Sequence, residues 1–211
     1  MSEFDRHPGG RPPHSHLPPD PALRVMALET LLVRKGLIDP SALDEIADHY
    51  ANRVGPRNGA IVVAKSWLDP SFRESLLRDA TGTVSSLGFT GRQGEHIVAV
   101  ENTPDIHNIV VCTLCSCYPW TLLGLPPAWY KSDAYRSRTI REPRSVLAEF
   151  GVNLLQSQKV RVWDSTAEVR YLVVPMRPDG TEGMTEDQLA GIIARDCMIG
   201  TALPRLPEPG Q

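Results

Sequence analysis

Apolar residues in the first part of the chain recur at helical intervals. Leu23, Ala27, Leu28, Leu31 and Leu32 form one stripe that stops at Gly36, and Asp39-Pro40-Ser41 opens a second with Leu43, Ile46, Ala47 and Tyr50. Neither stripe offers enough apolar surface for a helix to stand alone in water, so each must dock on the remaining chain or on a partner. Gly55-Pro56-Arg57-Asn58-Gly59 reads as a turn and residues 60–68 as a helix with Val63 and Trp67 on one face. Asp69-Pro70 reads as a capped helix start whose inward face is Phe72, Leu76, Leu77 and Ala80.

Farther on, the period shortens to that of strands. Runs at 96–100 and 108–111, separated by Thr103-Pro104-Asp105, predict adjacent strands, and runs at 159–163 and 169–174, separated by Asp164-Ser165-Thr166-Ala167, predict a hairpin. Pro126-Pro127 should start a helix carrying Trp129, Tyr130, Tyr135 and Arg138. A short helix at 146–150 ends at Gly151, and 185–198 should be one helix with a Thr185/Gln188 capping box and Leu189, Ile192 and Ile193 inward. The fold class expected is α+β. A loose arm at 1–20, rich in Pro, Gly and His, precedes a helical arm at 21–53 that docks on a partner, a mixed α/β metal-binding domain at 54–204 and a loose tail at 205–211.

Composition narrows the function classes. The chain has 211 residues, 41% of them hydrophobic, enough to bury a core. A net charge of -3 gives no reason to expect nucleic acid. The basic residues Lys131, Arg136, Arg138, Arg141 and Arg144 are read as a solvated or intersubunit face, because aromatics are not interleaved with a wider basic surface. No apolar run approaches the roughly 20 residues that span a bilayer, and no signal-peptide core is visible, so a cytoplasmic protein is expected. The glycine-rich run at 88–94 has no Lys-Ser/Thr after it and reads as a turn, not a phosphate loop.

The chemistry concentrates in Val111-Cys112-Thr113-Leu114-Cys115-Ser116-Cys117-Tyr118, which holds three of the four cysteines with the spacing C-x-x-C-x-C. Crowded thiolates in a reducing compartment point to a soft metal site, not to disulfides. Structural zinc needs a fourth nitrogen or sulfur ligand, which only Cys197 or His107 could add. The backbone offers another completion. With Cys115 and Cys117 bound by sulfur, the Cys117 sulfur and its own amide nitrogen close a five-membered chelate ring, and the Cys115 sulfur and the Ser116 nitrogen close a six-membered one. Two sulfurs and two nitrogens then share a plane, with the Cys112 sulfur below and a sixth position free. Deprotonated amides suit a trivalent ion, cobalt or iron, better than zinc or magnesium. Outside this cluster, His96 and His107 read as structural hydrogen-bonders, and Cys197 as a small buried hydrophobe. Asp164 and Glu168 read either as an acid/base pair or as support for the site.

This cysteine run, continuing through Pro119-Trp120, resembles the metal-binding segment of the nitrile hydratase alpha subunit. The resemblance extends to Leu123-Gly124-Leu125-Pro126-Pro127-Ala128-Trp129-Tyr130-Lys131, Tyr135-Arg136-Ser137-Arg138, Val54-Gly55-Pro56, Gln93-Gly94-Glu95, Val162-Trp163-Asp164 and Ile199-Gly200, so nearly the whole chain is covered. Thr113 matches the cobalt type, whereas Thr121 stands where many members have a second proline. The resemblance implies hydration of nitriles to amides at a Co(3+) ion, with Fe(3+) the alternative, held by Cys112, Cys115, Ser116 and Cys117. It further implies that Cys115 is oxidised to sulfinate and Cys117 to sulfenate, that the Cys117 sulfenate or a metal-activated water attacks the nitrile, and that Gln93 and Trp120 lie at the pocket. A distinct beta subunit, around which the helical arm wraps, and a metal-loading activator protein are the implied partners. The related thiocyanate hydrolase shares the claw, and a zinc or redox module is the non-catalytic alternative.

Overall fold

The computed structural model describes residues 20–48, 54–89 and 96–206. Gln93, Tyr50, the arm at 1–19, most of the glycine-rich turn and the last five residues lie outside that range. By contacts the chain divides into two units, 1–48 and 49–211.

In the first unit, α1 (Asp20–Arg34) and α2 (Pro40–Asp48) follow the two apolar stripes. Gly36 ends α1 at φ 67°, a left-handed conformation that glycine adopts without a Cβ penalty. Asp39 begins α2 by accepting from the Ser41 amide at 2.9 Å and the Ser41 hydroxyl at 2.8 Å, which lowers its pKa. Leu28, Leu31 and Ile46 remain exposed, so the stripes are not covered within this unit.

The second unit is built on α3 (Pro56–Leu68), whose Val62, Val63 and Ala64 are wholly buried. The helix starts at Pro56, and so absorbs the segment expected to be a turn. Proline presets the backbone angle of a first helical turn, and Gly59 is tolerated in the helix because close packing leaves no room for a side chain: a Cβ there would sit 2.6 Å from Met198 Sδ and 2.9 Å from the Leu122 carbonyl. Asp69 caps α4 (Pro70–Arg78) through the Ser71 and Phe72 amides, as expected. Asp79 then caps a separate helix, α5 (Ala80–Ser86), by accepting from the Gly82 amide.

The strands pair differently from the local reading. β1 (His96–Glu101) lies parallel to β4 (Val169–Val174), and β2 (Ile106–Val111) lies parallel to β3 (Lys159–Asp164). The expected β3–β4 hairpin and β1–β2 pair are therefore absent. Ser165-Thr166-Ala167 contains no residue suited to the positive φ of a tight hairpin, and no non-glycine among the described residues adopts one. Between β1 and β2, a single antiparallel bridge, Thr103 to Ile106, closes the turn. The Asn102 amide N–H goes to Val174, and the Asn102 side chain accepts from the Asn108 amide at 2.7 Å. Near-continuous burial of Leu172, Val173 and Val174, and of His107 to Val111, is what parallel strands covered on both faces require.

After β2 come α6 (Trp120–Leu123), one turn of 3-10 helix (Trp129–Lys131), α7 (Asp133–Arg141) and α8 (Pro143–Glu149). The helix expected after Pro126-Pro127 is thus split, because the Ser132 hydroxyl accepts from the Tyr135 amide and starts a new helix there. The C-terminal helix is also split, into α9 (Glu186–Gly191), which keeps its capping box, and α10 (Arg195–Ile199). No helix among the described residues is long and apolar enough to cross a membrane.

Candidate metal centre

β2 delivers the site. Its last residue, Val111, is fully buried, and the next, Cys112, leaves the strand with its side chain still buried. The chain then curls so that the amide of Cys115 donates to Cys112 Sγ at 3.3 Å. Cys112 Sγ lies 3.5 Å from Cys115 Sγ, which lies 3.1 Å from Cys117 Sγ, and all three sulfurs fall within 4.8 Å of one another. Cys112 is buried, Cys117 half-buried and Cys115 exposed. Among the described residues this is the group that could hold a metal ion.

The electrostatics separate the three thiols. Donation from the Cys117 thiol brings Cys115 down to about 7, while burial and the neighbouring Cys115 push Cys117 up to about 12. The spacing bears on which ion fits. Two sulfurs about 2.3 Å from one ion lie about 3.3 Å apart at a right angle and about 3.8 Å apart at a tetrahedral angle. The Cys115–Cys117 separation matches the right-angle value, and the Cys112–Cys115 separation lies between the two.

The residues weighed to complete a zinc tetrahedron are engaged elsewhere. His107 Nε2 bonds the Gly200 carbonyl at 2.7 Å, and its Nδ1 meets the Asn102 amide at 3.4 Å. Because a carbonyl only accepts, Nε2 carries the proton. Burial lowers the His107 pKa and keeps the ring neutral. Cys197 is buried on α10 and is not in the sulfur group; burial raises its pKa to about 11.

The loop is tied down from several sides. Asp164, at the end of β3 and paired in register with Val111, accepts from the Thr113 amide at 2.9 Å and the Thr113 hydroxyl at 2.6 Å. Both bonds aim its carboxylate at the claw loop, an arrangement of support. Glu168 has an exposed side chain, and its carbonyl accepts from the His96 amide at the start of β1. Trp120 opens α6, half-buried against the core. Asn58 Nδ2, from the first turn of α3, donates to the carbonyl of the buried Thr121 at 3.1 Å. The sequence reading missed the hydroxyls of Tyr118, Tyr130 and Tyr135, each of which donates to a carbonyl on or beside the loop. No local pattern announces such bonds, since donor and acceptor meet only in the folded chain.

Two of the five basic residues after the loop, Arg136 and Arg138, meet carboxylates. Arg138 bonds Glu142 at 2.8 Å and Glu149 at 2.6 Å, Arg136 pairs with Asp133, and Arg144 donates to the carbonyls of Leu155 and Gln158.

Comparison with known proteins agrees with this geometry. The alpha subunit of the low-molecular-weight cobalt-containing nitrile hydratase of Rhodococcus rhodochrous is 54% identical over 187 residues, covering 89% of this chain and 90% of the relative. The thiocyanate hydrolase gamma subunit of Thiobacillus thioparus is 42% identical over 192 residues, covering 85% of this chain and 78% of the relative. Among solved structures, a double mutant of the iron-type nitrile hydratase of Comamonas testosteroni Ni1 superimposes with a TM-score of 0.85 at 40% identity, over 92% of this chain and 98% of that one. The profile described as nitrile hydratase, alpha chain, matches residues 19–202, and with these relatives it shows that the chain belongs to the nitrile hydratase alpha-chain family.

Proposed function

We propose that the chain is the alpha subunit of a nitrile hydratase, adding water across a carbon–nitrogen triple bond to give the amide. The observation that carries this reading is the convergence of Cys112, Cys115 and Cys117 in one loop, with the Ser116 and Cys117 amides between the last two sulfurs. Cys112, Cys115, Ser116 and Cys117 would hold one Co(3+) per chain, supported by Thr113, the right-angle sulfur spacing and the cobalt-containing relatives. When bound, this ion supplies Lewis acidity that activates the nitrile or water.

The chain's own groups do the rest. Family likeness supports oxidation of Cys115 to sulfinate and of Cys117 to sulfenate, each added oxygen coming from a peroxide that leaves as water, and Cys115 is the exposed sulfur of the two. The Cys117 sulfenate oxygen, or a water activated at the site, would attack the nitrile carbon. Trp120 gives the nitrile's apolar end a wall, and Gln93 contributes to the pocket, a role that family likeness supports. A beta subunit covers the exposed rim, and the helical arm at 21–53 docks on it, since a claw open to bulk water would lose its selectivity. A separate activator protein loads the metal.

The chain co-expressed with its partner in cobalt medium should contain about one cobalt per alpha chain. The 112–117 peptide should carry three added oxygens, two on Cys115 and one on Cys117. Cys115→Ala should abolish metal binding and turnover together; full cobalt with full turnover in that variant would sink the proposal. The thiocyanate hydrolase relative favours a second reading on the same claw. Turnover of thiocyanate in place of a small nitrile would establish it, whereas zinc with unmodified thiols would leave a structural or redox module.

A further inference from the structure

Three tyrosine hydroxyls grip the main chain around the claw. Tyr135 donates to the carbonyl of Val110 at 2.7 Å, Tyr130 to that of Cys117 at 2.9 Å, and Tyr118 to that of Leu123 at 3.2 Å. Their rings form one cluster, with centroids 5.3 Å apart for Tyr118 and Tyr130 and 5.6 Å for Tyr130 and Tyr135, and Trp129 stands edge-on to Tyr130 and Tyr135. All three tyrosines are buried, so each hydroxyl depends on its carbonyl partner for a hydrogen bond.

The three bonds are alike in chemistry and differ in what they hold. Val110 precedes the claw and Leu123 follows it, but Cys117 is one of its members. The carbonyl that Tyr130 grips sits on the same residue as the sulfur and the amide nitrogen that would close the five-membered chelate ring. Holding that carbonyl fixes the orientation of the whole residue from the buried side. The Cys115 amide bond to Cys112 Sγ restrains the other side of the loop.

We infer that Tyr130 is a positioning residue of the metal centre: by holding the Cys117 carbonyl, it keeps the Cys117 nitrogen and sulfur aimed at one point, and so sets how long the ion stays. This rests on the reading of the claw as a cobalt site. Any ligand residue held by an outer hydrogen bond loses pre-organisation when that bond is removed, and metal affinity falls with it.

The test compares Tyr130→Phe, Tyr135→Phe and Tyr118→Phe in the cobalt-loaded complex with the partner subunit. Each variant keeps its ring and leaves one carbonyl short of a donor, so each should lower Tm by about a few degrees. Under challenge with a chelator, at a temperature where all remain folded, Tyr130→Phe alone should release cobalt about 10- to 100-fold faster than wild type. It alone should also shift the sulfur-to-cobalt absorption bands. A cobalt-loaded wild type whose release rate and spectrum Tyr130→Phe matches would overturn the inference while leaving the metal reading intact. A wild-type complex that holds no cobalt would overturn both.

Discussion

Replacing Asp164 by alanine removes two hydrogen bonds, those its carboxylate accepts from the amide and the hydroxyl of Thr113. A sheltered bond to a charged acceptor contributes about 1.5–3 kcal/mol, but Asp164 is exposed, which discounts each bond to about 1 kcal/mol. The loss is therefore about 2 kcal/mol, and it falls on the loop, not on the fold. The backbone of β3 still pairs with β2, and the Ser165 amide still donates to the Val111 carbonyl at 2.7 Å. A local loss of about 2 kcal/mol raises the detached fraction of the loop by a factor of about 30. Native-state hydrogen exchange should show this directly, with the Thr113 amide about 30-fold less protected while the amides of β2 are unchanged. Asp164→Asn keeps one acceptor oxygen and should lose about half as much, a factor of about 5. The same loosening should speed cobalt release from the complex. Undiminished protection of the Thr113 amide in Asp164→Ala would refute the reasoning, because it would mean that Thr113 is held by something other than this carboxylate.

Further expectations follow from the packing. Gly200 has φ 92°, and a Cβ there would lie 2.0 Å from the Asn108 carbonyl oxygen and 2.9 Å from Ile109 Cα, so Gly200→Ala must push β2 aside. Strain, clash and the disturbed His107 bond sum to about 4 kcal/mol or more, a fall in Tm of about 8–16 °C by calorimetry, and a fall under about 3 °C would contradict the close approach. His107 has a folded pKa below its ordinary 6.5, so below about pH 6.5 the unfolded chain takes a proton that the folded chain refuses. Stability from this group is complete above that pH and declines as pH falls toward the folded pKa. His107→Gln should flatten the fall in Tm between about pH 7 and 5, and an unchanged slope would assign the acid sensitivity to other groups.

Features coded within a few residues were legible in the sequence, and features assembled over distance were not. Asp69-Pro70 and Thr185/Gln188 announce helix starts because a cap and the amides it satisfies lie within one turn. The three sulfurs could be placed together because cysteines this closely spaced need only a tight loop to converge on one ion. Pairing was misread because β3 has the alternation that a hairpin strand has, and nothing in 159–163 says whether its partner is 169–174 or 106–111. Helix breaks were missed where a side chain took over an amide, as Ser132 and Asp79 do. Asp164 was narrowed to two roles by sequence, and its bonds to Thr113 become visible only in the folded chain. The tyrosine contacts carry no local signal at all, and Tyr130 reads as one more aromatic on a helix until its hydroxyl is seen against Cys117.

The parallel pairing of β2 with β3 also sets the order of events as the chain is made. Thr113 and Asp164, which meet at the claw, are 51 positions apart, and β1 waits still longer for β4. A chain emerging from the ribosome at roughly 5–20 residues per second exposes the three cysteines for seconds before the strand that shapes their loop exists. Any ion met in that interval finds flexible thiols, to which the strongest thiophile binds first. For the proposed cobalt claw, discrimination among metals is therefore acquired only when the later strands have docked, which makes the moment at which an ion arrives as consequential as the identity of the ligands.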